Sequence, residues 1–233
     1  MQQIFAHRGV SALAIENTAS AIKLCVKHNI LAVEIDLQLL GDNTPVLFHD
    51  IDLKRLANKD DALINLSAQS IKNIQLNMDN KKSESVLFMD EFIQLVLKHN
   101  LKVNVELKRF EQSINHYIEY IIKPLLSLVP NEQLLISGFD FELLKAVRGF
   151  SKTVDIAILS RKLEMGLFEK VNEISAIGCH LKNEFLDIKN IKKIKEQVKY
   201  LGVFTVNDQT RYQELIQAGV DYVFSDVPHL LNR

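Results

Sequence analysis

The chain has 233 residues, 47% of them hydrophobic and 24% charged, with a formal net charge of −1. That length and balance fit one α/β barrel or two small domains, and exclude a disordered or fibrous chain. The near-neutral charge excludes a general attraction for nucleic acid or an anionic membrane, since either needs a basic excess or a basic stripe.

Met1, Gln2 and Gln3 lead straight into an apolar strand-like run, which reads as a chain without a cleavable leader. No apolar run approaches the ~20 residues that cross a bilayer. Cys25 and Cys179 are the only cysteines, and Cys25 falls on an apolar helical stripe, so no disulfide framework is expected. A cytoplasmic protein is the expectation, with no nucleic-acid partner and no stable membrane association.

Short β-branched runs recur along the chain at Ile4 to His7, Ala32 to Leu37, Val103 to Leu107, Leu134 to Ser137, Val154 to Leu159, Ala176 to Leu181, Leu201 to Val206 and Tyr222 to Ser225. Segments with apolar residues at helical spacing separate most of them, such as Ile114, Ile118, Ile121, Ile122 and Leu125, or Tyr212, Leu215 and Ile216. Such alternation demands parallel pairing, and eight units predict a closed TIM (β/α)8 barrel spanning 1-233 as one domain. A doubly wound sheet would carry a glycine-rich turn after its first strand, where this chain has His7-Arg8-Gly9.

The alternation is interrupted between Pro45 and Phe92, which predicts an insertion over about 50-90 in the second unit. It starts with a short strand ending at His49, and needs no second core. Leaving the C-terminal side of a barrel strand, it should build part of the active-site rim. The basic run from Lys189 to Lys199 lies on a helix with Ile188, Ile191, Ile194 and Val198 as its apolar face, and reads as a solvated outer surface.

The polar residues of two strands sit on the unexpected side. In Val33-Glu34-Ile35-Asp36-Leu37 the apolar set faces the helices, so both carboxylates point into the barrel. Val103, Val105 and Leu107 likewise send Asn104, Glu106 and Lys108 inward. Three acids at adjacent strand ends make a hard-oxygen site suited to Mg²⁺ or Ca²⁺, since unpaired buried charge is expensive. The competing reading is a buried salt-bridge network with Lys108 and Arg8.

His7 ends the first strand and His49 ends the strand after Pro45, so both belong at the same mouth. Two imidazoles flanking a metal-held phosphate supply one base and one acid. Arg8 can hold phosphate oxygens bidentately, and Lys108 adds a point charge. His28, His99 and His116 read as packing residues, while His180 falls at the end of the sixth strand.

These residues form an ordered series: His7-Arg8-Gly9, Glu16-Asn17-Thr18, Glu34-Ile35-Asp36, Pro45-Val46-Leu47-Phe48-His49-Asp50 and Glu106-Leu107-Lys108. Ser137 with Phe139, Thr205-Val206-Asn207 and Ser225-Asp226-Val227-Pro228 follow. The series resembles the glycerophosphodiester phosphodiesterase family over nearly the whole chain. The resemblance implies hydrolysis of small glycerophosphodiesters, such as glycerophosphocholine or glycerophosphoethanolamine, to glycerol 3-phosphate and an alcohol. It also implies a divalent metal on Glu34, Asp36 and Glu106, with His7 and His49 as the proton-transfer pair. Direct attack by water and first attack by the glycerol 2-hydroxyl both remain compatible with it.

Ile15 stands where the family has proline, Phe204 replaces a tryptophan, and Ser137-Gly138-Phe139 separates a commonly adjacent pair. An aromatic at 204 should lean over the substrate, and Glu16 is placed with the substrate-binding residues. Asn17 reads equally as a helix cap or a site residue. Asp226 reads as a cap, and Asp50 as orienting the loop that carries His49. A sphingomyelinase D-like phospholipase and a non-catalytic phosphoester-binding barrel are the alternative readings. The first would be expected to bind vesicles, and the second to lack turnover.

Overall fold

The computed structural model describes residues 4–231. Among these, eight strands are hydrogen-bonded in parallel: β1 (Ile4–His7), β2 (Ala32–Leu39), β3 (Lys102–Leu107), β4 (Leu134–Gly138), β5 (Asp155–Ser160), β6 (Gly178–Lys182), β7 (Tyr200–Phe204) and β8 (Tyr222–Ser225). β1 pairs with both β8 and β2, which closes the barrel. The predicted fold class is therefore observed, with small shifts of strand ends.

Two of those shifts have visible causes. Ala176 and Ile177 leave the predicted sixth strand because Ser175 adopts a left-handed φ of 47°, and the ladder starts only at Gly178. The second strand runs on to Leu39, because Leu37 to Leu39 pair antiparallel with the insertion's strand Pro45–Leu47.

Each barrel strand divides its side chains by pleat. On β2, Val33, Ile35, Leu37 and Leu39 join the main apolar cluster under the helices, while Ala32, Glu34, Asp36 and Gln38 face inward. The inward set changes character along the axis. At the N-terminal end Phe5, Ala32, Tyr222 and Phe224 form a separate apolar plug, with Phe5 stacked on Phe224 at 5.2 Å. Above the plug the interior turns polar, which places charge at the C-terminal mouth.

The outer helices follow from the sequence pattern. Helix Ala19–Lys27 starts where Thr18 Oγ1 accepts from Ala21 N, and it buries Ala21, Ile22 and Cys25. Helix Met89–His99 stops at Asn100, whose φ of 51° is left-handed. The segment from Ile114 to Leu128 is helical with one wider π turn over Ile118–Ile122. Among the described residues, no helix is long and apolar enough to cross a membrane.

The insertion returns to the barrel through strand Leu87–Phe88, antiparallel to Pro45–Leu47. It differs from expectation in having a core of its own, built from Leu40, Val46, Phe48, Leu53, Leu56, Leu63, Ile71, Leu76, Val86 and Ile15. The polar-looking run from 50 to 86 hid this cluster, because its apolar residues follow neither a helical nor a strand period for long. A packed insertion can hold side chains at the barrel rim rigidly.

Candidate active site

Strand register brings the predicted site residues together. His7 lies beside Glu34 between β1 and β2, and Asp36 lies beside Glu106 between β2 and β3. Glu34, Asp36 and Glu106 are buried, and one oxygen of each lies within 4.8 Å of the others. His7, Arg8, His49, Glu106, Lys108 and Phe204 line a single cavity of about 800 Å³ at the mouth. A second cavity of about 710 Å³, against the outside of the insertion, contains none of them.

Burial and mutual repulsion act on the acids unequally. Burial, then the Asp36 and Glu106 charges, push the Glu34 carboxyl well above the ordinary range. Burial and Asp36 also raise Glu106, against the pull of Lys108. Burial pushes Asp36 up as well, but Arg8, Lys108 and His49 outweigh it and hold Asp36 ionised. Arg8 Nε lies 3.0 Å from Asp36 Oδ2, and Lys108 Nζ lies 3.3 Å from Asp36 Oδ1 and 2.5 Å from Glu106 Oε1.

The donor set fits a hard divalent cation. Among the described residues, buried Glu34 Oε1 has no hydrogen-bond partner. Asp36 Oδ1 and Glu106 Oε1 also lack one with hydrogen-bond geometry, and have only the nearby Lys108 ammonium. Three converging carboxylate oxygens with unspent lone pairs suit Mg²⁺ or Ca²⁺, and carry none of the nitrogen or sulfur donors that zinc favours.

Neighbouring polar groups fix the acids. Asn17 Nδ2 donates to Asp36 Oδ2 at 2.9 Å, while Asp36 N donates to Asn17 Oδ1 at 3.1 Å. Of the two readings left for Asn17, the structure gives the site role to Asn17 and the cap to Thr18. Arg8 N donates to Glu34 Oε2 at 2.9 Å. Arg8 takes a φ of 57° and Gly9 one of 81°, a tight left-handed turn that lays the chain against Ala21.

Each histidine is backed by a carboxylate. His7 Nδ1 is 2.7 Å from Asp226 Oδ1, which corrects the reading of Asp226 as a cap. Asn207 Nδ2 and Ser11 Oγ donate to the same carboxylate at 2.7 and 3.0 Å. Burial would raise Asp226, but these hydrogen bonds and His7 bring it down to about 2. His49 Nδ1 is 2.7 Å from Asp50 Oδ1, so Asp50 orients the imidazole itself and not only its loop. With Nδ1 engaged, Nε2 of each ring is the atom left to face the cavity.

Glu16, read with the substrate-binding residues, is engaged by arginines. Its carboxylate accepts from Arg8 Nη1 at 2.8 Å and from Arg55 Nη1 and Nη2 at 2.8 and 2.7 Å. Both oxygens are taken by arginine, so Glu16 ties the insertion to the barrel. Arg55 was missed because it sits on the four-residue helix Lys54–Ala57, which has no periodic signal. Phe204 stands at the mouth as expected, with Phe139 edge-to-face at a centroid separation of 6.2 Å. His180 lies below the mouth, buried, with its pKa pushed down to about 3 by burial.

The model of the "Glycerophosphoryl diester phosphodiesterase family" matches residues 7–230. The chain belongs to this family. As a family member it is a phosphoric diester hydrolase. It is 25% identical over 235 residues to a glycerophosphodiester phosphodiesterase of Caldanaerobacter subterraneus, covering 98% of this chain and 95% of the relative. The solved structure of an Oleispira antarctica phosphodiesterase in complex with the product sn-glycerol-3-phosphate superposes with a TM-score of 0.92 at 26% identity, covering 99% and 95% of the two chains. A Galdieria sulphuraria structure, at 20% identity and a TM-score of 0.86, shares the fold.

Proposed function

We propose that the protein hydrolyses glycerophosphodiesters to glycerol 3-phosphate and a free alcohol, with a divalent metal held by Glu34, Asp36 and Glu106. The observation that carries this reading is the buried carboxylate cluster with unpartnered oxygens, flanked by two imidazoles that each rest on a carboxylate. The product held by the Oleispira relative supports the same substrate end.

Arg8 and Lys108 attract the phosphodiester to the mouth, although the acids around them already use part of their charge. When bound, Mg²⁺ or Ca²⁺ polarises the phosphoryl oxygens and offsets the charge developing on them. His7, fixed by Asp226, takes a proton from the nucleophile at Nε2. His49, fixed by Asp50, gives a proton from Nε2 to the leaving alcohol oxygen. The net change adds one water across the P–O bond; His7 is left protonated and His49 deprotonated, and loss of one proton from His7 to solvent with uptake of one by His49 restores both imidazoles.

Phosphorus NMR with glycerophosphocholine, glycerophosphoethanolamine and glycerophosphoglycerol tests the reading, with Mg²⁺, Ca²⁺ or chelator present. Metal-dependent appearance of glycerol 3-phosphate is expected. Its absence from all three esters under both metals would overturn the proposal.

A further inference from the structure

The cavity extends past the phosphate-binding groups, and its far wall has a composition of its own. Phe110, Phe139, Phe185 and Phe204 line it together with Arg161 and Lys182. These stand at or just after the C-terminal ends of β3 to β7. Three of the rings are unusually open for phenylalanine: Phe110 is 47%, Phe139 46% and Phe185 59% exposed. At about 800 Å³ the space approaches the upper range of small-molecule sites, which leaves room for the second arm of a diester.

The charges on this wall are unequal. Arg109 is paired with Asp140, and Lys182 with Glu184 at 2.8 Å. Arg161, exposed at the end of β5, makes no hydrogen bond or ion pair among the described residues. The ring faces already have ammonium neighbours, with Lys108 Nζ 5.9 Å from the Phe139 centroid and Lys182 Nζ 5.8 Å from that of Phe185. A quaternary or primary ammonium on the alcohol would therefore meet like charge where it would otherwise find open aromatic faces.

We propose that Arg161, with this phenylalanine wall, forms an alcohol subsite that selects glycerophosphodiesters whose alcohol carries a second anionic group, such as a phosphate. The inference rests on the proposed hydrolysis and adds the identity of the leaving arm. The rings cover the carbon skeleton of the alcohol, and the guanidinium fork donates charge-assisted hydrogen bonds to the terminal anion. Choline and ethanolamine esters are the disfavoured class.

The test compares kcat/KM of the full chain with divalent metal on three glycerophosphodiesters, whose alcohols are glycerol 1-phosphate, glycerol and choline. The expected order is anionic, then neutral, then cationic. Arg161→Ala should lower kcat/KM for the anionic ester about tenfold more than for the neutral one, the scale of one charge-assisted hydrogen bond. Arg161→Glu should bring the choline ester ahead of the anionic one, and its thermal melt reports that it is folded. Equal or better use of the choline ester by the parent, or an equal loss on all three esters in both variants, would overturn the subsite while leaving the hydrolase reading intact. No turnover of any ester by the parent would overturn both.

Discussion

Arg55 Nε donates to Asp50 Oδ2 at 2.7 Å, so a residue of the insertion holds the carboxylate that holds His49. The same guanidinium grips Glu16, which grips Arg8, which pairs with Asp36. One chain of charge-assisted contacts thus runs from the buried acid cluster to an imidazole across the mouth. Arg55→Ala should lower kcat about 10–100-fold, as loss of an outer-shell partner does, with a smaller change in KM. Arg55→Lys should recover part of it. Unchanged turnover in a folded Arg55→Ala variant would show that His49 needs no such support.

Asp226 stands to His7 as Asp50 stands to His49, but is itself fixed by Asn207 and Ser11. Asp226→Asn keeps the shape and removes the charge that stabilises a protonated imidazole. Turnover should fall by roughly 10²–10⁴-fold. Asn207→Ala should fall less, since the carboxylate remains. Steady-state kinetics beside a thermal melt separates loss of chemistry from loss of fold.

The barrel and the acid cluster were legible in the sequence because a period-two pattern must send Glu34, Asp36 and Glu106 to the side opposite Val33, Ile35 and Val105. The carboxylates behind the histidines were less so. Asp226 and Asn207 lie 19 residues apart and meet only when β7 and β8 pair, and Asp226 satisfied a simpler local reading as a cap. Arg55 and the insertion's own core were not legible at all, because irregular chain packs through long-range contacts that leave no period. The arginine partners of Glu16 were not legible either, because its surrounding Glu16-Asn17-Thr18 motif does not reveal them.

Gly9 follows the first histidine and arginine in a left-handed turn, and a Cβ there would lie 2.7 Å from both Ala21 C and Ala21 Cβ. Gly9→Ala must strain φ and push helix Ala19–Lys27 away at once. A loss of about 1–3 kcal/mol is expected, the scale of an overpacked contact. Because Arg8 N is bonded to Glu34, activity should fall with it. A denaturation midpoint equal to that of the parent would show that the turn relaxes without consequence.

Asp50 and Asp226 both have carboxyls held at about 2, below the ordinary 3.8. A depressed folded pKa adds stability that is fully present above the unfolded value and is lost as pH falls towards 2. Acid unfolding of the parent should therefore show a component between about 3.8 and about 2. Asp50→Asn and Asp226→Asn should each flatten that slope, measured by urea midpoints across this range. Parallel curves for parent and variants would count against both pairs.

The acid cluster has the opposite sign. Glu34 and Glu106 are raised above the ordinary 4.5, by burial first and by neighbouring carboxylates next. In the metal-free chain the folded state then keeps protons that the unfolded chain gives up, so stability falls as pH rises from about 4.5 through the raised values. A divalent cation needs these oxygens ionised, so binding should release protons, most at mildly acidic pH and less as pH rises. Calorimetric titration with Mg²⁺ or Ca²⁺ in two buffers of different ionisation enthalpy counts those protons. Glu34→Gln removes one repelling carboxylate: it should raise the melting temperature of the chelator-treated chain at neutral pH, yet cancel most of the gain that metal gives the parent. If Glu34→Gln lowered the metal-free melting temperature and kept the metal response, Glu34 would be a structural partner of Arg8 and not a cation ligand.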